Sequence, residues 1–526
     1  MSIYDPAADA MHYHGGVFYP HNGNNHNGVI TDGKSMSLRP LPSLRDEVGL
    51  FARLAGPTVL IGIGFVVPSF VTAAYVGRNW GALMQDAYTL ANLTGNLCCM
   101  SLLAGLHSAA DTLGPQAFGA GNDRQVGLVA WQTLVTSFII IIPVNVVLCC
   151  TLGPLLIALG QDTDASALAW EFYIIYCWSI PFYAVWCVAW KFLSAQAILW
   201  PLVVITLLAV GVVLPLGLEV LGPMYGLQGT AAALVVFFAS EAIGICAWMY
   251  FGQPYKPETF DHYTWTEILF QPSYKQFLKL GVGGMLASLE WIYWEAVSLM
   301  VGRLGVIPLS VHTVPTQVIY VAFMFPLGIG AAASNRIGTT LSQSVPRAKV
   351  LAVATLCVCF VGFAFFTWLL YATRWYLFRL FTNDPEVLAG CETIWPSVCV
   401  YMWILVLFGV NTGIATGLGM QMTLGVLTLA FLWCVGLPAS YYFAMVKGEG
   451  LSAVWIWITP PYFLINGLLW IRFYTKDWDE IATLVRIREG MGKLGENGKD
   501  DNLESLRLVE EAPSDSTYGS TAGSGT

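Results

Sequence analysis

The chain has 526 residues, of which 56% are hydrophobic and 11% charged, with a formal net charge of −9. Soluble domains carry roughly 25% charged residues, so this composition excludes a water-soluble enzyme and points to a polytopic membrane protein. Twenty-four basic against 33 acidic residues also exclude nucleic acid as a partner, because phosphate binding needs a basic surface.

Residues 1–50 are polar, rich in Gly, Asn, His and Pro, and have no apolar period. They predict a disordered cytosolic tail without a cleavable signal peptide, in which His12, His14, His21 and His26 are solvated rather than metal-bound. Apolar runs follow, each near the ~20 residues that cross a hydrocarbon core. They fall at about 54–76, 83–108, 127–151, 168–190, 199–221, 227–251, 278–302, 306–330, 348–371, 393–415, 422–446 and 451–473. This predicts an N-lobe over 51–251, a cytosolic linker over 252–277 with Pro254, Pro257 and Pro272, and a C-lobe over 278–475. A cytosolic tail over 476–526 completes the chain, with a short surface helix at 477–490. Pro181, Pro215, Pro326, Pro396 and Pro460-Pro461 predict kinks, since packed neighbours can satisfy freed backbone groups. The 12 cysteines lie mostly in apolar runs without C-x-x-C spacing, as packing residues rather than disulfide or zinc ligands. Asn92-Leu93-Thr94 fits a glycosylation pattern but falls inside a span.

Charge placement gives the topology. With both tails in the cytosol, only Arg78, Arg303, Arg374, Arg379 and Lys447 of the 24 basic residues face the other side. That agrees with the positive-inside rule and an even number of spans. A repeat runs at an offset near 225: Phe51-Ala52-Arg53-Leu54 matches Phe277-Leu278-Lys279-Leu280, and Gln196 matches Gln421. Ala110-Asp111, Gly119 and Arg124 match Ala333-Ser334, Ser342 and Arg347 at offset 223. Halves of six spans share one orientation, about an axis along the membrane normal, as in alternating-access transporters.

Three passages carry a family resemblance: Ser108-Ala109-Ala110-Asp111-Thr112-Leu113-Gly114-Pro115-Gln116-Ala117-Phe118-Gly119-Ala120-Gly121-Asn122, then Pro326-Leu327-Gly328 through Ala332-Ala333-Ser334-Asn335-Arg336-Ile337-Gly338, and Leu289-Glu290-Trp291-Ile292-Tyr293-Trp294-Glu295. Over about residues 50–475 the chain resembles the eukaryotic branch of the MATE (multidrug and toxic compound extrusion) transporters. The resemblance implies an all-α membrane protein of twelve transmembrane helices in two pseudo-symmetric six-helix lobes arranged as a V. It implies export of organic compounds against entry of H⁺ or Na⁺, and leaves open organic cations, flavonoids, alkaloids or citrate. The expected partners are a small organic substrate, the coupling ion and the lipid bilayer, for a monomer without a resident cofactor or metal in the plasma membrane or a vacuolar or other organellar membrane. One departure stands out. Relatives of this branch carry an acid in span ten, before the stretch matching Gly413-Ile414-Ala415-Thr416-Gly417-Leu418-Gly419-Met420-Gln421, whereas here Leu405 or a neighbour takes its place.

Glu290 is then the expected proton-coupling group. A charged acid at that depth costs about 2.5–3.5 kcal/mol, so it faces protein or a wet cavity and carries a proton for part of the cycle. Glu295, five residues on, points about 140° away and is expected to join the proton coupling as an inter-helix or mouth partner. Their repeat partners at offset 226 are Gly64 and Ser69, so the acid chemistry belongs to the C-terminal half. Gln317 and Tyr320 on span eight, and Asn411 and Thr412 on span ten, could steady a carboxylate, meet substrate or form ordinary interhelical hydrogen bonds. Trp291, Trp294, Tyr320, Tyr401 and Trp403 could wall an aromatic cavity for an organic cation. Asp111, past the expected end of span two, and His107 one turn earlier read as a gate or helix-end pair. Glu171 and Glu241 are alternative acids outside any matching motif, and Asp86 a helix cap. Sodium coupling keeps the fold and recruits Gln317, Asn411 and Thr412 beside Glu290. A lipid-linked flippase would need mid-span basic groups, and a membrane enzyme would need paired Asp or a His cluster; neither is present. A channel is the remaining alternative.

Overall fold

A computed structural model describes residues 41–490 except Asp261 and Asn383, together with four short strands nearer the start of the chain. Strands β1 (Tyr13–His14) and β2 (Val17–Phe18) pair antiparallel, as do β3 (Val29–Thr31) and β4 (Lys34–Met36). The rest of the expected N-tail, including His12, His21 and His26, and all of 491–526 lie outside the described residues.

From Leu44 onward the described chain is helical and loop. The first half holds α1 (Leu44–Trp80), α2 (Ala82–Gly95), α3 (Ser101–Gly119), α4 (Asp123–Ala158), α5 (Thr163–Tyr176), α6 (Ser179–Ala195), α7 (Trp200–Leu208) and α8 (Leu214–Gly252). A 3₁₀ turn at Pro257–Phe260 and α9 (Trp265–Phe270) form the linker. The second half holds α10 (Pro272–Ala287), α11 (Leu289–Gly302), α12 (Val306–Leu341), α13 (Val345–Ala372), α14 (Arg374–Phe381), α15 (Pro385–Gly417), α16 (Gln421–Thr428), α17 (Leu437–Tyr441), α18 (Gly450–Trp457) and α19 (Thr459–Thr475), followed by α20 (Trp478–Arg488).

These elements make twelve spans. Nine stretches among the described residues are individually long and apolar enough to cross a bilayer, and α5 with α6, bent by 50°, makes a tenth. The stretch from Trp200 to Gly252 counts once among the nine but is a hairpin. Gly226 takes φ 62°, which glycine adopts at low cost, and a Cβ on Gly217 would come within 3.1 Å of the Ala233 Cβ across the fold. The α10–α11 pair, interrupted at Ser288, is the twelfth. Widened π turns at Ala209–Val213 and Leu429–Gly436 end just before Pro215 and Pro438. Proline lacks the N–H and crowds the carbonyl one turn back, and a π turn absorbs both faults. Pro326 and Pro396, by contrast, lie inside unbroken α12 and α15.

Each half buries its own core. One centres on Tyr88, Phe172, Trp186 and Phe237, the other on Tyr293, Trp395, Tyr401 and Trp455. Large side chains such as Val358, Phe365 and Trp368 point outward, as a lipid-facing surface requires. A third, smaller core joins the halves where Leu106, Ala110 and Leu113 of α3 meet Phe277 and Leu280 of α10.

The internal repeat is visible in the hydrogen bonds at this joint. Thr112 Oγ1 donates to the Thr416 carbonyl at 2.6 Å, and Asn335 Nδ2 donates to the Ser194 carbonyl at 2.7 Å. The donors are 223 positions apart (335 − 112) and the acceptors 222 (416 − 194). The two halves thus tie each other down by pseudo-symmetric bonds to carbonyls at helix C-terminal ends. These cross-lobe contacts gather at one end of the bundle, the end where α1 begins and α20 lies. We call this the tail side.

Backbones touch there. A Cβ on Gly105 would lie 2.5 Å from Met285 Cα, and one on Gly284 would strike the Gly105 carbonyl. Overpacking costs about 1–3 kcal/mol, so Gly105→Val should hold the tail side open. Hydrogen exchange should then quicken in 105–119 and 280–288 while the outer half of α4 stays protected. In the linker, Glu267 caps α9 by accepting the Thr264 N–H and pairs with Arg124 at 2.7 Å. The Thr264 amide first, then Arg124, hold its carboxyl down to about 2.

Helices outrun the expected spans at the tail side. α1 starts at Leu44 instead of 54, and α3 continues to Gly119 instead of 108. Polar residues in these turns find partners across the joint, so they need not end the helix.

Candidate functional site

Span seven breaks at Ser288, whose hydroxyl donates to the Met285 carbonyl. The break starts a new helix, and Glu290 falls in its first turn, where the unpaired N–H groups carry partial positive charge. The Glu290 side chain is 4% exposed. Tyr462 of α19 donates its hydroxyl to Glu290 Oε1 at 2.9 Å, and the Trp294 indole N–H donates to the Tyr462 oxygen at 3.1 Å. Tyr401 closes the group, with ring centroids 5.2 Å from both Trp294 and Tyr462. Among the described residues no Lys or Arg forms an ion pair with Glu290.

One turn further along α19, Asn466 accepts from Asn411 Nδ2 at 2.8 Å and donates to the Ile404 carbonyl at 3.3 Å. α19 is therefore the bridge between the acid of α11 and the amide of α15. Tyr462 and Asn466 escaped the sequence reading. Their signal is the polar pair at i and i+4 in an otherwise apolar span, which faces one side of a helix.

The other expected residues divide. Glu295 is half-buried on the other face of α11 and accepts from Tyr320 at 3.5 Å, in keeping with its angular offset from Glu290. Gln317 lies half-buried on α12, three residues before Tyr320. Thr412 donates to the Phe408 carbonyl of its own helix. Asn411 is engaged with Asn466, although its Oδ1 is buried without a partner. Trp291 tilts on Phe323, Trp294 and Tyr401 are packed rather than lining a cavity, and Trp403 lies tilted against Phe360 of α13 at 4.7 Å between ring centroids. Leu405, at the place of the missing acid, lines a small apolar pocket with Ile319, Phe323, Phe366 and Met402.

His107 and Asp111 do not pair with each other, and Asp111 lies within α3 rather than past its end. His107 Nε2 meets Ser137 Oγ at 2.9 Å, while Asp111 pairs with Lys191 at 2.7 Å. The cross-lobe ion cluster lies elsewhere. Glu47, 2% exposed at the start of α1, binds Arg336 Nε at 2.6 Å and Arg347 Nη2 at 2.7 Å from the other lobe. Glu47 fell in the expected tail; Ser43-x-x-Asp46 ahead of an apolar run is the helix-start signal that reveals it. α20 lies across the same seam. Arg488 donates to Gln116 Oε1 at 2.9 Å, Asn122 to Glu489 Oε2 at 3.1 Å, and Arg486 to the Ser342 carbonyl at 2.7 Å. The expected surface helix at 477–490 is thus a strap touching both lobes.

The MatE family model matches twice, over residues 57–218 in the first lobe and 285–442 in the second. The chain belongs to the MatE family. The two matches begin 228 residues apart (285 − 57), which restates the repeat from outside this sequence. This MatE chain is 26% identical over 491 residues to Multidrug and toxin extrusion protein 1 of Danio rerio, covering 92% of itself and 81% of that protein. It is 28% identical over 418 residues to Protein DETOXIFICATION 3 of Arabidopsis thaliana, covering 77% and 86%. In fold it is similar to the crystal structure of the eukaryotic MATE transporter AtDTX14, with TM-score 0.77 and 21% identity, over 85% of this chain and 99% of that one. It is a multi-pass membrane transporter of two six-helix lobes.

Within this MatE site, Tyr462→Phe removes the hydroxyl that Glu290 accepts from. A hydrogen bond to a charged group is worth about 1.5–3 kcal/mol. Transport should fall about tenfold or more while the thermal transition moves little; an unaltered rate would remove Tyr462 from the site.

Proposed function

We propose that this transporter exports small organic compounds, xenobiotics or metabolites and organic cations first among them, in exchange for H⁺. Glu290 takes up and releases the proton, and Glu295 with Trp291, Gln317 and Tyr320 meets the substrate at the half-buried side of α11 and α12. The observation that carries this is an acid buried at mid-span with only neutral partners, Tyr462 and Trp294. An ionised carboxylate in that setting costs about 2.5–3.5 kcal/mol, and a proton removes the charge. The two forms of Glu290 therefore favour different packings of α11 against α19, which is what couples a proton to the rocking of two lobes. Each proton moving down 100 mV supplies about 2.3 kcal/mol.

Sodium fits less well. Hard cations gather several oxygen ligands, whereas the Thr412 hydroxyl is turned to the Phe408 carbonyl and Asn411 offers a single unpartnered oxygen, Oδ1. The tail side is the cytosolic side in this reading: Arg78, Arg303, Arg374, Arg379 and Lys447 all fall at the opposite end of the bundle. The closed tail-side seam then makes this the outward-facing state. The names of the Danio rerio and Arabidopsis thaliana relatives, extrusion and detoxification, agree with export.

Proteoliposomes loaded with ethidium test the coupling. Acidifying the side opposite the tails should drive ethidium efflux at zero sodium. A sodium gradient at equal pH should not. Efflux on the sodium gradient alone overturns the proton assignment.

A further inference from the structure

Glu241 lies in the second half of α8, in the lobe without Glu290, and is 3% exposed. Thr206 of α7 faces it, with a buried hydroxyl that forms no aligned hydrogen bond elsewhere. Thr206 in turn presses on α1 at Gly64, where a Cβ would collide with the Thr206 methyl. Gly64 is the residue 226 positions before Glu290, its partner in the repeat. The seat that holds an acid in the C-lobe is thus empty of its own side chain in the N-lobe, and α7 and α8 fill it with a threonine and a second acid.

Other groups near this seat are few. From α6, Tyr183 and Cys187 lie within electrostatic reach of Glu241. α1 has no titratable side chain between Arg53 and Tyr75, and α7 has none. On α5, Glu171 accepts from Gln228 instead. Among the described residues no Lys or Arg pairs with Glu241. One turn beyond Cys187, Lys191 pairs with Asp111 at 2.7 Å, with side chains 16% and 25% exposed. Titratable groups therefore step from Glu241 along α6 toward the tail side.

We propose that Glu241 is a second proton-binding site, so that the transporter carries an exchangeable proton in each lobe. A metal cation is the poorer occupant, because hard cations gather several oxygens and beside the carboxylate this seat offers the hydroxyls of Thr206 and Tyr183, with the Phe238 ring 5.7 Å from that of Tyr183. The inference is independent of the role given to Glu290.

Infrared difference spectroscopy of the full chain in lipid, across a jump from alkaline to acidic pH, tests it without any substrate. The wild type should show two protonated-carboxyl C=O bands from buried acids. Glu241→Gln should delete one and Glu290→Gln the other. Thr206→Val should shift the Glu241 band and leave the Glu290 band in place, which keeps the test open if Glu241→Gln fails to fold. A Glu241→Gln spectrum identical to wild type, or a Glu241 band that does not respond to pH or to Thr206→Val, overturns the proposal. Loss of the Glu290 band alone would bear only on the coupling site.

Discussion

Glu290→Gln should abolish proton-driven efflux, by roughly 10²-fold if the whole burial cost of the ionised form is lost from the cycle, since 1.4 kcal/mol is a factor of ten. The amide keeps the size of the side chain and accepts the Tyr462 hydroxyl through its carbonyl oxygen, so the packing of α11 on α19 survives. The protein should reach the membrane and melt within a few degrees of wild type. What disappears is the ability to differ between two protonation states. Ethidium exchange between equal pools, which needs no net proton movement, should be much less affected than uphill efflux. Equal losses in both assays would mean that Glu290 serves packing or substrate contact rather than coupling, and wild-type uphill efflux would reject its role outright.

The second large effect is expected at the tail-side seam. Arg336→Ala strips the bidentate partner from Glu47, which accepts Arg336 Nε at 2.6 Å and Nη2 at 3.3 Å while nearly excluded from solvent. Breaking a buried ion pair by removing one partner costs about 3–5 kcal/mol. Arg347, at 2.7 Å from Glu47 Oε2, the oxygen that Arg336 Nη2 also reaches, recovers part of that. The bond exists only where α1 and α12 meet, so the cost falls on the closed arrangement and the equilibrium shifts toward tail-side opening. Hydrogen exchange in 43–51 and 334–342 should speed up by one to two orders of magnitude. Replacing both partners with methionine removes the stranded charge and should recover much of the protection. Exchange unchanged in Arg336→Ala would show that the glycine contacts of α3 and α10, not this cluster, hold the seam.

The mid-span acid and the two-lobe plan were both legible before any coordinates. Composition excludes a soluble surface, the apolar runs give twelve spans, and Glu290 stands out because an acid among Leu286, Leu289 and Ile292 has no cheap place to be. Repeat partners at offsets near 225 anticipate the paired bonds of Thr112 and Asn335. These features are local in sequence or periodic along it, and the bilayer imposes them on every segment separately.

What Glu290 touches was decided only in three dimensions. Tyr462 is 172 residues away and comes from the last span; its i, i+4 spacing with Asn466 marks one face of α19 but not which helix that face meets. Glu47 was hidden for a related reason. It reads as part of a polar tail until Arg336 and Arg347, nearly 300 residues later, surround it and allow α1 to begin ten residues earlier. Glu241 was passed over because it matches no motif, and its neighbours Thr206 and Gly64 converge from two other helices. A single chain dictates which segments must enter the membrane, because each must satisfy its own backbone there. Which side chains then share a dry interior depends on how the helices pack, and that is a property of the assembled bundle.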